Sequence, residues 1–190
     1  MVSYSVLTSR FSFVVTLLIL GISSACSENN EVKSPKLKEF NVYIGMPESQ
    51  MQSLYAECQF EAQSPTLFGM CSSGEDGLTV SRNDTLLFYY WKDLKEDKIL
   101  GFILFDPTQS YNGAHVGMSL REFLQIHPEA RTLVSLLDSK EYIYDTIESE
   151  WYQIDSSLDD LAADYTEVNG EYEFKRYRDL DKKIASIYVK

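Results

Sequence analysis

The chain has 190 residues, with 17 basic against 29 acidic side chains and a formal charge of −12. That balance excludes a nucleic-acid-binding role built on phosphate neutralisation by Lys and Arg, and disfavours adhesion to anionic lipid by charge. Beyond the N-terminal features described next, about 155 residues remain, enough for one ordinary core or for two small units sharing one.

Residues 1–25 hold a single charged side chain, Arg10, followed by the apolar run Phe11 to Ile22. A transmembrane helix needs roughly 20 apolar residues, so this run is too short for one. A basic residue, a short apolar core and then small residues have the pattern of a secretory signal. The small residues are Ser23-Ser24-Ala25, directly before Cys26. This arrangement resembles the lipobox of bacterial lipoproteins, in which the cysteine becomes the lipidated first residue of the mature chain. Ser23 departs from the leucine usual at that place, and the alternative is an ordinary secretory signal beside a chance cysteine. Residues 26–38 then read as a flexible tether, too polar to bury enough surface to offset the entropy of ordering. Lipidation at Cys26 would place the protein at the bacterial cell envelope, on the outer membrane or a periplasmic face.

With Cys26 lipidated, Cys58 and Cys71 remain as a possible disulfide in an oxidising compartment. The bridge would close a loop of about 14 residues and contribute roughly 3 kcal/mol. Two independent buried thiols are the alternative.

Inside the mature chain there is a weak self-similarity. Val42-Tyr43-Ile44-Gly45-Met46-Pro47 matches Ala114-His115-Val116-Gly117-Met118-Ser119, and apolar residues at helical spacing follow each copy. Ser119 and Glu122 have the spacing of a capping box, and Pro47 suits a first turn. The copies also end alike, Asp97 to Leu104 against Lys182 to Val189, each a polar turn leading into a strand. Between these landmarks, 78–81 and 86–91 read as strands joined at Asn83-Asp84. In the second half, 142–147 and 172–177 read as strands, with 158–165 as a short helix between them. The expected organisation is repeat 1 over 39–106, a linker over 107–113, and repeat 2 over 114–190 with an acidic insertion. Helices followed by antiparallel strands define an α+β class, here two tandem helix-plus-antiparallel-meander repeats.

A strand ending in Gly-Met, a capping residue, an amphipathic helix and a meander together resemble the β-lactamase inhibitor protein fold. Small outer-membrane assembly lipoproteins of the SmpA/OmlA type share one such unit. The resemblance covers roughly residues 39–190 and implies a protein-binding module with no catalytic residues to carry over. It also matches the Cys58 and Cys71 pair to the disulfide of inhibitor-protein repeats, although the second unit here has no cysteine.

No sequence constellation supports catalysis. His115 and His127 are the only histidines and lack partners at metal-ligand spacing, so no metal site is expected. Nucleophile-elbow, Walker and dinucleotide patterns are absent, and no cofactor is expected. Asp155, Asp159, Asp160 and Asp164 lack the alternating ligands and central Gly of a calcium loop. The stretch 141–174 holds eleven carboxylates and no Lys or Arg, interleaved with aromatic residues. It suggests docking of a protein with a basic surface, with Trp151, Tyr152, Asp155, Asp159 and Asp160 as contacts. The alternative is a solvated acidic face with its rings turned to the core. In 86–91, strand alternation sends Leu87, Tyr89 and Trp91 to one face and Leu86, Phe88 and Tyr90 to the other, and one set is expected to form an exposed binding face. The sequence therefore favours a non-catalytic protein-binding module, inhibitor or immunity-like. The alternatives are a structural accessory of an envelope assembly complex or, less favoured, a carboxylate-dependent hydrolase.

Overall fold

A computed structural model describes residues 37–70, 77–144 and 150–190. The signal, Cys26, most of the tether, Cys71, Asp145 and Glu148 lie outside the described residues. The chain begins with β1 (Lys38–Glu39) and α1 (Glu48–Leu54), then β2 (Gln59–Gln63) and a 3-10 turn, η1 (Pro65–Phe68). A meander follows: β3 (Gly77–Arg82), β4 (Thr85–Asp93) and β5 (Lys98–Leu104). After β6 (Gln109–Tyr111) and β7 (Ala114–His115) come α2 (Leu120–Ile126), β8 (Arg131–Ser135), β9 (Lys140–Tyr144) and β10 (Glu150–Ile154). The hairpin β11 (Ala163–Val168) and β12 (Glu171–Tyr177) precedes the last strand, β13 (Ile184–Val189).

Eight of these strands form one antiparallel sheet in the order β2-β3-β4-β5-β13-β10-β9-β8. The last strand crosses back to lie beside β5, with Tyr188 opposite Ile103, and so joins the two halves. This continuous sheet corrects the expectation of two tandem helix-plus-meander repeats. The fold is mostly strand, with only two α-helices of seven residues each among the described residues, and one hydrophobic cluster draws on both halves. What the self-similar segments do share is local. Gly45 N–H donates to Ile99 O and Ile99 N–H to Met46 O, and Gly117, Ile184 and Met118 make the same pair of bonds. Both glycines sit at positive φ, +85° and +86°, where a side chain would be strained.

Each helix start has a chemical reason. Ser119 Oγ accepts from Glu122 N–H at 3.3 Å while Glu122 Oε2 accepts from Ser119 N–H at 2.9 Å, the expected reciprocal cap of α2. His127 ends that helix, because Pro128 keeps its predecessor out of the α region. At α1, Pro47 is the N-cap and Glu48 lies in the first turn. The expected helix over 158–165 is absent. Ser157 and Asp160 form an isolated bridge, and the chain is already in β11 by Ala163.

Met51, Leu120 and Phe123 of the helices pack with Phe88, Phe102, Ile143, Tyr152 and Ile187 of the sheet in one core. Each such side chain contributes about 1.5–3 kcal/mol on full burial. Three glutamates are buried on the same side. Glu48 accepts from Tyr90 OH at 2.6 Å. Glu150 accepts from Asn112 at 2.5 Å and from Tyr152. Glu141 accepts from Ala162 N–H, Ala163 N–H and Tyr165 OH at 2.7, 3.1 and 2.6 Å, which moors the β11–β12 hairpin on the sheet. No helix among the described residues is long and apolar enough to cross a membrane.

Candidate functional site

Among the described residues the other face of the sheet carries no α-helix, and it is floored by rings. In β4, alternation brings Phe88 and Tyr90 to the core and Tyr89 and Trp91 to this opposite face. The shift in register between Val80 and Ser81 breaks the pattern at Leu87, which joins the core instead of following Tyr89. Tyr89 is fully buried. Phe68 of η1 stacks on it at 4.1 Å, and its hydroxyl accepts from Gly77 N–H at 3.0 Å and donates to Gln63 O at 3.3 Å. It is therefore a support for the surface rather than a contact.

Trp91 lies flat across the neighbouring strand. Its cross-strand partner is Gly101, and a Cβ built there would stand 1.9 Å from the indole Cζ2. Only glycine leaves room for the ring. The indole continues onto Tyr188 at 5.4 Å with 29° between planes. Trp151, the most open of these rings at 38% exposure, neighbours Tyr144 at 5.9 Å and Tyr142 at 6.4 Å. Between them is a groove of about 570 Å³, within the ~300–1,000 Å³ range of ligand sites.

The sheet curls enough for its two edges to approach. Gly69, in the left-handed conformation that ends η1, would with an added Cβ come within 3.0 Å of Asp138 Oδ2 in the turn between β8 and β9. Asp138 lines the groove and accepts a hydrogen bond from Tyr142 OH. Burial first, and then this bond, push the Tyr142 phenol above its ordinary range, so it stays a neutral donor. Burial likewise raises Tyr188. Two lysines, Lys92 and Lys190, also line the groove, and Lys92 is held by Glu48 and by Asp97.

The sequence-selected contacts thus separate. Trp91 and Trp151 meet in the groove and Tyr89 lies beneath it. Tyr152 is a correction: its side chain is fully buried on the core side against Phe123, at 4.7 Å, and is not available to a partner. Asp155, Asp159 and Asp160 are exposed but belong to a loop outside the groove lining, beside Lys182. Asp160 pairs with Lys182, whose hydrogen bond holds its carboxyl below the usual range, and Asp164 pairs with Arg176 at 2.8 Å. Among the described residues no three His, Cys, Asp or Glu side chains are placed to hold a metal. The acidic stretch is not one surface, since Glu141 and Glu150 are interior. Cys58 is half-buried against the core, and its proposed bridge involves a residue outside those described.

Phe68, Asp138 and Tyr188 escaped the sequence reading, and Tyr142 entered it only as one of the aromatic residues interleaved in the acidic stretch. Tyr142 alternates with the buried Glu141 and Ile143 in β9, a period-two signal that could have marked it as facing away from the core.

The class these features define is a mostly-β α+β protein with one curved sheet, helices on one face and an aromatic groove on the other. No protein-family model matches the chain, and no curated protein matches it. Among solved structures, the uncharacterized protein yfeY from Escherichia coli is similar in fold, with a TM-score of 0.51 at 10% identity. The match covers 82% of this chain and 97% of that one.

Proposed function

We propose that the chain is a lipid-anchored protein of the bacterial cell envelope that binds another protein without catalysis, through the ring-floored groove. The observation that carries this is the aromatic lining of the groove, where Trp151 is 38% exposed and a glycine is required for Trp91 to lie flat. Exposed apolar surface of this kind on an otherwise charged protein supports an interaction site, and aromatic side chains give contact area at low entropic cost. The anchor rests on the signal pattern before Cys26, and the inhibitor or immunity-like role rests on the groove with the acidic balance of the chain. The test is affinity capture from envelope extract with the tagged full-length protein and a Trp91→Ala/Trp151→Ala variant. One soluble basic partner, lost in the variant, is the expected result. Capture of integral outer-membrane assembly proteins would shift the role to an assembly accessory, and capture unaffected by the variant would refute the groove as the docking face.

A further inference from the structure

Three two-residue turns among the described residues begin with asparagine, and their side chains are held differently. Asn83-Asp84 joins β3 to β4, Asn112-Gly113 joins β6 to β7, and Asn169-Gly170 joins β11 to β12. Arg82 stands opposite Thr85, Tyr111 opposite Ala114 and Val168 opposite Glu171, so each turn closes a tight hairpin. All six turn residues are at positive φ, between +48° and +85°, as such a hairpin demands. The main chain thus offers the three asparagines similar geometry. At Asn112 the side chain is held, because Nδ2 donates to the buried Glu150 carboxylate at 2.5 Å. Asn169 is exposed, and among the described residues neither its side chain nor the Gly170 N–H makes a hydrogen bond. A Cβ on Gly170 would meet nothing within 4 Å, so this turn stands open to water.

We propose that Asn169 is a modification site, converting to aspartate and isoaspartate through a cyclic imide, and that Glu150 protects Asn112 from the same reaction. The Gly170 nitrogen loses its proton to base and attacks Asn169 Cγ. The new N–Cγ bond replaces the Cγ–Nδ2 bond, and ammonia leaves with a proton taken from water. Water then adds to either carbonyl of the five-membered imide, and ring opening gives aspartate or isoaspartate. Glycine after the asparagine leaves the attacking nitrogen uncrowded, whereas Asn83 is followed by the side chain of Asp84. At Asn112 the amide must first let go of Glu150, a hydrogen bond strengthened by the charge of its acceptor. The reaction at Asn169 adds a carboxylate to the outer half of the hairpin, residues 166–173, which is exposed and holds no Lys or Arg. Isoaspartate also routes the main chain through Cβ, lengthening a turn built for two residues.

Full-length protein in detergent is incubated in mildly alkaline buffer, once folded and once in urea. Peptide mass spectrometry follows each asparagine, and labelling by an isoaspartyl methyltransferase marks the isomer. In the folded protein Asn169 is expected to convert faster than Asn112 by about tenfold or more, the scale of one charge-assisted hydrogen bond that must break before attack. In urea the two Asn-Gly sites should convert at similar rates, because the bond to Glu150 is gone. Asn169→Gln should remove the early isoaspartyl label from the folded protein. Equal rates in the folded protein, or Asn112 converting first, would overturn the proposal. So would a folded protein that converts at neither site while the unfolded chain does, or a difference that persists undiminished in urea.

Discussion

Replacing Gly101 with alanine puts a methyl where the Trp91 indole now rests. The added Cβ would stand 1.9, 2.4 and 2.5 Å from Cζ2, Cη2 and Cε2, all atoms of one rigid ring. Ordinary carbon contact is about 3.5–4.0 Å, so the ring must leave the strand. Overpacking of this kind costs about 1–3 kcal/mol. Loss of the stack on Tyr188 adds about 0.5–1.5 kcal/mol. Alanine's smaller unfolded-state freedom returns about 0.4–1 kcal/mol. The expected net loss is about 0.5–4 kcal/mol, measured by urea unfolding followed by far-UV circular dichroism, with a changed native tryptophan emission. Trp91→Ala removes the clash, so the Trp91→Ala/Gly101→Ala double variant should lose less than the sum of the singles, by about 1 kcal/mol or more. A Gly101→Ala protein with wild-type midpoint and emission would refute the flat-lying indole and with it the floor of the groove.

Three further outcomes follow from the interior. Glu141→Ala strands two buried backbone N–H groups and removes one of two partners of the Tyr165 hydroxyl, which keeps Thr132, and should cost about 2 kcal/mol or more in chemical unfolding; a loss under about 1 kcal/mol would show that the hairpin is moored elsewhere. Ser119→Ala removes the α2 cap and should cost about 0.5–2 kcal/mol in the same assay, whereas no loss would dismiss the capping box as a stabilising contact. Burial pushes the Tyr55 phenol from 10.0 up to about 12, and raises Tyr90, Tyr142, Tyr165 and Tyr177 as well. A folded pKa above the unfolded one means stability that is complete below pH 10 and lost as pH rises through the folded values. Absorbance at the phenolate band should therefore lag on titration and then rise with unfolding; ordinary titration of all tyrosines with the fold intact would contradict their burial.

Local chemistry was the legible part of this sequence. Ser119 and Glu122 announced a cap because side-chain oxygen and backbone donors meet at that spacing. Both Gly-Met pairs announced helix entries because a positive φ favours glycine. Long-range pairing was not legible, since nothing near β13 states that it lies beside β5 and merges the halves into one sheet. Tyr152 looked like Trp151 because adjacent strand residues carry the same chemistry to opposite faces, and only the sheet's orientation decides which is buried. Glu141 and Glu150 read as solvated charge, since the hydrogen bonds that make their burial tolerable come from residues 20 or more positions away or from a paired ring. The groove itself was half visible: Trp91 and Trp151 were singled out, whereas Asp138 comes against Gly69 only through the curl of the sheet.

The most direct test of the groove as the docking face is photo-crosslinking in intact cells. A photo-reactive amino acid is placed at Leu133, in the groove lining, and in a second strain at Leu54, exposed on α1 on the other side of the sheet. A discrete adduct to one other protein from position 133, and none from 54, is the predicted result. An adduct from 54 with none from 133 would place the partner on the helical face and contradict the account.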